Sequence, residues 1–187
     1  MKNTIAEMTA DHIDAISYFK ANSIETVEKI ATLTTSVFKN GGSVYLCGNG
    51  GSAADCQHIA GELIGRFRKE RKALPAVALT TDTSVLTCLG NDYNFGHIFI
   101  RQVEAMVTEK DIIWAFSTSG TSENIIKAVE LAKEKRAKIV SFTGKPDSLL
   151  ETLSDVCLCT NTRFTSSSQE VHQLAYHIIC KLIEDQF

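Results

Sequence analysis

The segment Ser43-Val-Tyr-Leu-Cys-Gly-Asn-Gly-Gly-Ser-Ala-Ala54 joins a short apolar run to a glycine-rich turn. The run from Ser43 to Cys47 predicts a buried β-strand, and the residues that follow Ala54 have the pattern of a helix. A strand followed by a helix is the repeating unit of a parallel sheet, in which ligands bind beyond the carboxyl ends of strands. The segment therefore predicts an α/β fold with a ligand-binding loop directly after its first strand.

Four further short runs rich in Val, Ile and Leu predict more strands of the same kind. They are Ala76 to Thr80, Asp111 to Phe116, Lys138 to Phe142 and Asp155 to Thr160. Helix-length segments separate these runs, and such segments serve as crossovers rather than hairpin turns. We therefore expect a three-layer α/β sandwich, with a central, mainly parallel five-stranded sheet covered by helices on both faces.

The first 40 residues precede this pattern. Apolar residues recur at three- and four-residue steps from Asp11 to Lys39, which indicates one or two amphipathic helices that end at Gly41-Gly42. We expect a single domain over residues 1–187, with residues 1–40 as a helical extension that mediates oligomerisation. Its apolar stripe could pack against the same stripe of another copy or against the chain's own sheet, and the sequence favours neither.

Composition narrows the class of partner. The 187 residues include 44% apolar residues, 19 basic residues and 22 acidic residues, with the two charge types mixed along the chain. This balance is typical of a globular domain and gives no positive surface for nucleic acid or an anionic membrane. No apolar run reaches the roughly 18 residues of a membrane helix, and the first ten residues do not resemble a signal peptide. We expect a cytoplasmic protein with a small molecule or a protein as its partner.

The six cysteines do not predict a metal site. Cys157 and Cys159 lie two apart in a predicted strand, which is not the spacing of a zinc ribbon. The others are Cys47, Cys56, Cys88 and Cys180, and we expect all six to be reduced structural residues.

A second loop follows the strand that ends at Phe116. Its sequence, Ser117-Thr-Ser-Gly-Thr-Ser122, contains five hydroxyl side chains and precedes a predicted helix from Glu123 to Lys135. Hydroxyl and amide donors gathered at a helix start suit a phosphate monoester. An N-cap at Thr121 or Ser122 would explain only one of the five hydroxyls.

These loops resemble those of the sugar isomerase (SIS) domain, and nearly the whole chain resembles the bacterial phosphoheptose isomerases. Four motifs carry the resemblance: Cys47-Gly-Asn-Gly-Gly-Ser-Ala-Ala-Asp-Cys-Gln-His-Ile-Ala-Gly-Glu-Leu-Ile-Gly-Arg-Phe67, Leu79-Thr-Thr-Asp-Thr-Ser-Val-Leu-Thr-Cys-Leu-Gly-Asn-Asp92, Ser117-Thr-Ser-Gly120 and Gln169-Glu-Val-His-Gln-Leu-Ala-Tyr-His177. The resemblance implies a flavodoxin-like SIS fold. It also implies an isomerase that converts sedoheptulose 7-phosphate into D-glycero-D-manno-heptose 7-phosphate for lipopolysaccharide or capsule, with no nucleotide cofactor.

The resemblance further implies a homotetramer whose active sites lie between subunits. The implied substrate-binding residues are Asn49, Gly50, Gly51, Ser52, Glu62, Arg66, Asn91, Asp92, Ser117, Thr118, Ser119, Ser122 and Gln169. The implied zinc ligands are His58, Glu62, Gln169 and His177.

The reaction itself points to Glu62 and His177 as the catalytic pair. Moving a carbonyl between neighbouring carbons requires a base, an acid and stabilisation of an enediolate. Glu62 lies four residues after His58 on a predicted helix, so that the two share a face, and His177 can carry a proton near neutral pH. Zinc could polarise the carbonyl, although glutamine is an uncommon zinc ligand, and a metal-free mechanism stays open. A surface hydrogen bond is the competing interpretation of the His58 and Glu62 pair.

One segment departs from the family, because Ser166 occupies a position that is acidic in most members. We expect this substitution to affect the length or stereochemistry of the sugar that binds more than the type of reaction. Two other functions stay open: a non-catalytic SIS protein that binds a sugar phosphate or a protein partner, and an isomerase of a pentose 5-phosphate. Of the other histidines, we expect His172 on a helix face, His97 in a loop or at a helix start, and His12 in solvent.

Overall fold

The structure, a computed structural model that describes residues 1–187, is built on one five-stranded sheet. The strands are β1 (Val44–Gly48), β2 (Ala76–Ala78), β3 (Ile112–Ser117), β4 (Lys138–Thr143) and β5 (Val156–Cys159). Their order is β2-β1-β3-β4-β5, and all four pairings are parallel. This flavodoxin-like order confirms the predicted fold class, with each predicted strand present and its ends shifted by at most two residues.

Eight helices and one 3₁₀ turn connect and cover the strands. They are α1 (Lys2–Asn22), α2 (Ile24–Lys39), α3 (Gly51–Ile64), α4 (Thr83–Asp92), the 3₁₀ turn Phe95–His97, α5 (Ile100–Met106), α6 (Glu123–Glu134), α7 (Leu149–Leu153) and α8 (Thr165–Glu184). None of these helices combines the length and apolar character needed to cross a membrane.

The two faces of the sheet bury separate apolar clusters. Trp114, Phe116 and Phe142 point to one face, where α2, α3 and α8 cover them, and the rings of Phe116 and Phe142 stack with centroids 4.2 Å apart. Ile113 and Ile139 point to the other face, where they pack with α5, α6 and α7. Because both faces are covered, β3 is buried along its whole length.

The N-terminal extension consists of two helices with different environments. α2 packs against α8 and β5, and it buries Val27 and Ile30 in the core of its own chain. α1 begins nine residues before the predicted start, and its first half lies exposed with Ile5, Met8 and Ile13 on the surface. The chain's own sheet therefore covers the stripe of α2, whereas the role of α1 in oligomerisation stays a prediction.

Candidate active site

A cavity of about 330 Å³ lies where the carboxyl ends of β1 and β3 meet, at the reversal point of the strand order. It is lined by residues of the glycine loop and the serine loop, and by the first turns of α8: Asn49, Gly50, Gly51, Ser52, Phe116, Ser117, Thr118, Ser122, Thr165 and Gln169. A larger cavity of about 660 Å³ lies between α2 and the end of α8, and its lining holds no histidine or cysteine.

The glycine loop turns directly into α3, which begins at Gly51 rather than after Ala54 as predicted. Gly50 makes this turn with a φ of 57°, a value that residues other than glycine rarely adopt. Gly51 leaves room for Gln169, because a Cβ atom at position 51 would lie 2.6 Å from the Gln169 Nε2 atom. The loop therefore places the start of α3 against the start of α8.

Two asparagines hold the glycine loop to the serine loop. Asn49 Nδ2 donates to Asn124 Oδ1 at 2.9 Å, and Asn124 Nδ2 donates back to Asn49 Oδ1 at 2.8 Å. Asn124 lies buried in the first turn of α6. Asn124 was not predicted as a site residue, although its position directly after the predicted phosphate loop was the signal available in the sequence.

The serine loop presents a connected set of hydroxyl groups. Ser117 Oγ lies 2.9 Å from Ser122 Oγ and 3.3 Å from Ser119 Oγ. Ser122 precedes α6 but makes no capping hydrogen bond with its side chain, so that capping does not account for this residue. Hydroxyls in this arrangement can turn their hydrogens toward an anion.

A second cluster lies farther along α3 and α8. His58 Nε2 is 3.1 Å from Glu62 Oε1 and 3.4 Å from His177 Nε2. The ring of His177 stacks on Phe67 at a centroid distance of 5.5 Å. Partial burial, and after it the charge of His58, lower the pKa of His177, which keeps its imidazole neutral near neutral pH.

The donor atoms of this cluster fit a metal ion. One ligand atom from each of His58, Glu62 and His177 lies within 4.8 Å of the others. In a tetrahedral zinc site, ligand atoms about 2.1 Å from the ion lie about 3.4 Å from one another. The separations of 3.1 and 3.4 Å are close to that value, and two imidazoles with a carboxylate are a common zinc donor set.

Behind the cluster, Tyr176 contacts His58, and Asp55 contacts Tyr176. The hydroxyl oxygen of Tyr176 lies 3.0 Å from His58 Nδ1 and 3.3 Å from Asp55 Oδ1. Burial, and after it the charge of Asp55, raise the pKa of Tyr176, so that the hydroxyl keeps its hydrogen. The sequence analysis did not single out Asp55 or Tyr176.

A buried ion pair shapes the segment that follows α3. Glu184 accepts hydrogen bonds from the backbone N–H groups of Phe67 and Arg68 at 2.9 to 3.1 Å. The guanidinium of Arg71 lies 3.9 Å from Glu184 and donates to the carbonyl oxygens of Glu62 and Leu63 at 2.7 Å. These contacts therefore fix Phe67 beside His177, and they fix the last turn of α3, which contains Glu62.

The structure does not bring all the predicted site residues together. Gln169 lines the cavity, but it precedes His177 by eight residues, or about 12 Å along α8. Ser119 lines a small adjoining cavity of about 110 Å³. Arg66 is exposed and lies 3.7 Å from Glu70, while Asn91 and Asp92 are exposed at the end of α4. One chain thus gathers the phosphate loops at one point and the His58 cluster at another.

The remaining histidines lie outside both places. His97 is in the 3₁₀ turn, where its Nδ1 atom contacts Asn94 at 2.9 Å. His12 contacts Glu170 at 2.6 Å, because α1 packs on α8, and 43% of its side chain is exposed, which agrees with the expected contact with solvent. His172 belongs to the helix face of α8 that is fully buried.

Comparison with known proteins agrees with this architecture. A family model described as "SIS domain" matches residues 9–144. A phosphoheptose isomerase of Aliarcobacter butzleri is 41% identical over 186 residues, which cover 100% of this chain and 98% of the relative. One from Nitratiruptor is 48% identical over 149 residues, or 80% of each chain.

Two solved structures are similar over almost the whole chain. The phosphoheptose isomerase GmhA of Neisseria gonorrhoeae superposes with a TM-score of 0.93 at 37% identity and covers 98% of both chains. A phosphoheptose isomerase of Francisella tularensis superposes with a TM-score of 0.92 at 36% identity, over 98% of this chain and 97% of that one. The chain belongs to the SIS-domain family, as one of its phosphoheptose isomerases.

Proposed function

We propose that the protein interconverts sedoheptulose 7-phosphate and D-glycero-D-manno-heptose 7-phosphate, in the cytoplasm, as a step in the biosynthesis of heptose for a surface glycan. The observation that carries this proposal is the proximity of Glu62 and His177, whose side-chain ligand atoms lie within 4.8 Å of each other on two adjacent helices. A carboxylate and an imidazole at this spacing suit a reaction that moves protons between neighbouring carbons.

The proton transfers follow from these two side chains. One of them removes the carbon-bound proton next to the carbonyl, which gives an enediolate. A proton then passes from the neighbouring hydroxyl oxygen to the former carbonyl oxygen, and a proton is returned to the carbon that carried the carbonyl. In a metal-free mechanism, the lowered pKa of His177 leaves a neutral imidazole that can accept a proton at neutral pH. Glu62 is mostly buried, with 20% of its side chain exposed, so that water competes little for its carboxylate.

The phosphate group is assigned to the serine loop. Ser117, Thr118, Ser119 and Ser122 would donate hydroxyl hydrogens, while the glycine loop and the start of α3 would offer backbone N–H groups. This arrangement binds a dianion without arginine or lysine, which agrees with a chain that has no concentrated positive charge.

Zinc is the proposed metal, held by His58, Glu62 and His177. The family resemblance adds Gln169 as a fourth ligand, which a neighbouring copy would supply, because Gln169 of the same chain lies about 12 Å along α8 from His177. When bound, it would polarise the substrate carbonyl and stabilise the negative charge of the enediolate. The support for zinc is the donor set and its spacing.

We also propose a homotetramer with active sites between subunits. The phosphate cavity contains none of His58, Glu62 and His177, and Arg66 lies outside it as well. Residues of a neighbouring copy would bring the two groups of functional residues together. The exposed apolar side chains of α1 offer a surface for such an assembly.

The direct test is incubation with sedoheptulose 7-phosphate and detection of the heptose product by NMR. Glu62→Gln and His177→Gln should each lower kcat by about 10²- to 10⁴-fold, the range for loss of a general acid or base. Glu104→Gln, on the exposed surface of α5, is the matched control and should keep full activity. Size-exclusion chromatography should show the same oligomer for all four proteins.

Three outcomes would contradict parts of this proposal. Near-wild-type turnover in either active-site variant would remove its assigned role. Binding of the phosphosugar without turnover by the wild type would favour the non-catalytic alternative, and turnover of a pentose 5-phosphate alone would favour the other isomerase. The exposed Ser166 follows Thr165, which lines the cavity, and its departure from the family makes a comparison of sugars of different length informative.

A separate measurement addresses the metal. Protein purified without added zinc should contain zinc by elemental analysis, and a chelator should remove both the metal and the activity. Full activity in protein that contains no metal would overturn an essential role for zinc.

A further inference from the structure

The contacts of the Tyr176 hydroxyl link His58 to a half-buried carboxylate. The phenol oxygen lies 3.0 Å from His58 Nδ1 and 3.3 Å from Asp55 Oδ1. The other carboxylate oxygen of Asp55, Oδ2, is buried and has no hydrogen-bond partner. The hydroxyl is thus the hydrogen-bond donor that the structure gives to the Asp55 carboxylate.

A phenol has a single hydrogen, which limits how these three groups can be connected. An ionised carboxylate can only accept, so that the hydroxyl satisfies Asp55 by donating to Oδ1. The phenol oxygen then accepts from His58, which must carry its hydrogen on Nδ1. His58 Nε2 is left with a lone pair, directed toward Glu62 Oε1 at 3.1 Å and His177 Nε2 at 3.4 Å.

A lone pair that faces a carboxylate oxygen is unfavourable unless a proton or a metal ion lies between them. Without a cation, the hydroxyl can instead turn to donate to Nδ1, and His58 then donates from Nε2 to Glu62. That second arrangement leaves Asp55 without a donor, which is costly for a carboxylate with a buried oxygen. The Asp55 carboxylate therefore favours the arrangement that suits a metal ion.

We propose that Asp55 and Tyr176 are positioning residues that hold His58 in its Nδ1-protonated form and so present Nε2 to the metal ion. A hydrogen bond donated by the ring nitrogen that does not bind the metal commonly fixes the tautomer of a metal-binding histidine. The proposal rests on the zinc site proposed above and assigns two residues that contact neither substrate nor metal.

The test uses the full-length oligomer after removal of metal, with Zn²⁺ alone as the probe. Its affinity is measured by competition with a chromophoric chelator. Tyr176→Phe keeps the ring that packs against His58 and His177, and it should weaken zinc binding by about 10- to 100-fold. Tyr45→Phe is the matched control, because its hydroxyl bonds the Met106 carbonyl oxygen away from the cluster, and it should bind zinc as the wild type does.

A spectroscopic readout separates this role from general support of the fold. In the zinc-loaded wild type, ¹⁵N NMR of His58 should show a protonated Nδ1 and a metal-bound Nε2. Asp55→Asn offers a second variant if Tyr176→Phe does not fold, and it too should weaken zinc binding, by about 10-fold or more.

Zinc affinity of Tyr176→Phe within twofold of the wild type would overturn the inference, as would coordination of zinc through Nδ1. A wild type that binds no zinc would overturn it as well, together with the proposed metal. Conversion of sedoheptulose 7-phosphate by that metal-free protein would still support the isomerase, which keeps the two failures distinct.

Discussion

His172 shows how strongly the fold can change the chemistry of a single residue. The side chain is fully buried on α8, where Nε2 contacts the carbonyl oxygen of Thr143 at 3.2 Å and Nδ1 has no partner. Burial lowers the pKa of His172 to about 4, and the hydrogen bond to Thr143 only partly opposes this effect. The imidazole therefore stays neutral and donates its Nε2 hydrogen to Thr143.

This shift predicts that the protein loses stability in acid. The pKa is about 6.5 in the unfolded chain, so that between pH 6.5 and about 4 the unfolded state binds a proton that the native state does not. The free energy of unfolding should fall as the pH drops through this window, by up to about 3 kcal/mol from this residue. His172→Gln keeps a donor for Thr143 and should remove that part of the pH dependence, as measured by urea unfolding at several pH values.

His97→Gln is the control for this experiment, because His97 is half-exposed in the 3₁₀ turn. It should leave the pH dependence of unfolding unchanged. An equally steep loss of stability in His172→Gln would assign the acid sensitivity to other groups.

At the residue scale, the sequence predicted the loops better than the contacts between them. Residues within the glycine and serine motifs line the cavity because each follows a strand end directly. Asp55 lies in the glycine motif, Asn124 follows the serine motif and Tyr176 lies in the motif of α8. Their importance, however, depends on a partner 75 to 121 residues away. Spacing along one helix cannot indicate which residue of another helix will face it.

At the scale of the element, α3 contains two glycines at which an added Cβ atom would have opposite effects. A Cβ atom at Gly51 would lie 2.6 Å from Gln169 Nε2, whereas one at Gly61 would meet no atom within 4 Å. Gly51→Ala should displace Gln169 and raise KM for the phosphosugar. Gly61→Ala should instead raise the free energy of unfolding by about 0.4–1 kcal/mol and leave KM unchanged.

Steady-state kinetics and urea unfolding of the two variants test this contrast. An unchanged KM in Gly51→Ala would show that the position of Gln169 does not matter for substrate binding.

The segment after α3 depends on the carboxylate of Glu184. Burial alone would raise the pKa of Glu184, but hydrogen bonds from the backbone N–H groups of Lys69, Arg68 and Phe67 hold it below its ordinary value. Glu184→Gln places an amide group beside these donors, and it should lower the free energy of unfolding by about 1–3 kcal/mol. Urea unfolding measures this loss, and trypsin should cleave the loosened segment at Lys69 faster than in the wild type.

Glu104→Gln again serves as the control, because its ion pair with Arg101 lies on the surface. This variant should stay within about 0.5 kcal/mol of the wild type. A comparable loss of stability in both variants would contradict a special role for Glu184.

The order of helices and strands was largely predictable, because apolar runs and helix-length crossovers alternate along the chain. The start of α3 was not, since residues 51–54 look like loop and become helical only through the turn at Gly50. The start of α1 was also missed, because the first ten residues are exposed and contain only three large apolar residues, Met1, Ile5 and Met8, too few to establish a helical period. Periodicity detects a helix only where one face of it is buried.

At the scale of the whole molecule, α1 leaves apolar surface uncovered. Ile5 and Met8 are 67% and 58% exposed, so that they add little to the stability of a single chain. The double variant Ile5→Gln, Met8→Gln should shift the oligomer toward smaller species in size-exclusion chromatography with light scattering. Its far-UV circular dichroism should match that of the wild type.

Leu149→Gln is the control, since Leu149 is 49% exposed on α7 at the opposite layer of the sandwich. It should leave the oligomer intact. An unchanged mass in the α1 variant would remove the proposed role of these side chains in assembly.

The amide pair of Asn49 and Asn124 also constrains how this protein can diverge. Each side chain gives one hydrogen and takes one, and no single substitution at either position restores both bonds. A change at one site leaves a polar group of its partner unpaired in a region that is largely buried, and selection acts against such intermediates. Positions 49 and 124 should therefore be inherited as a unit, altered together or kept together in descendant sequences.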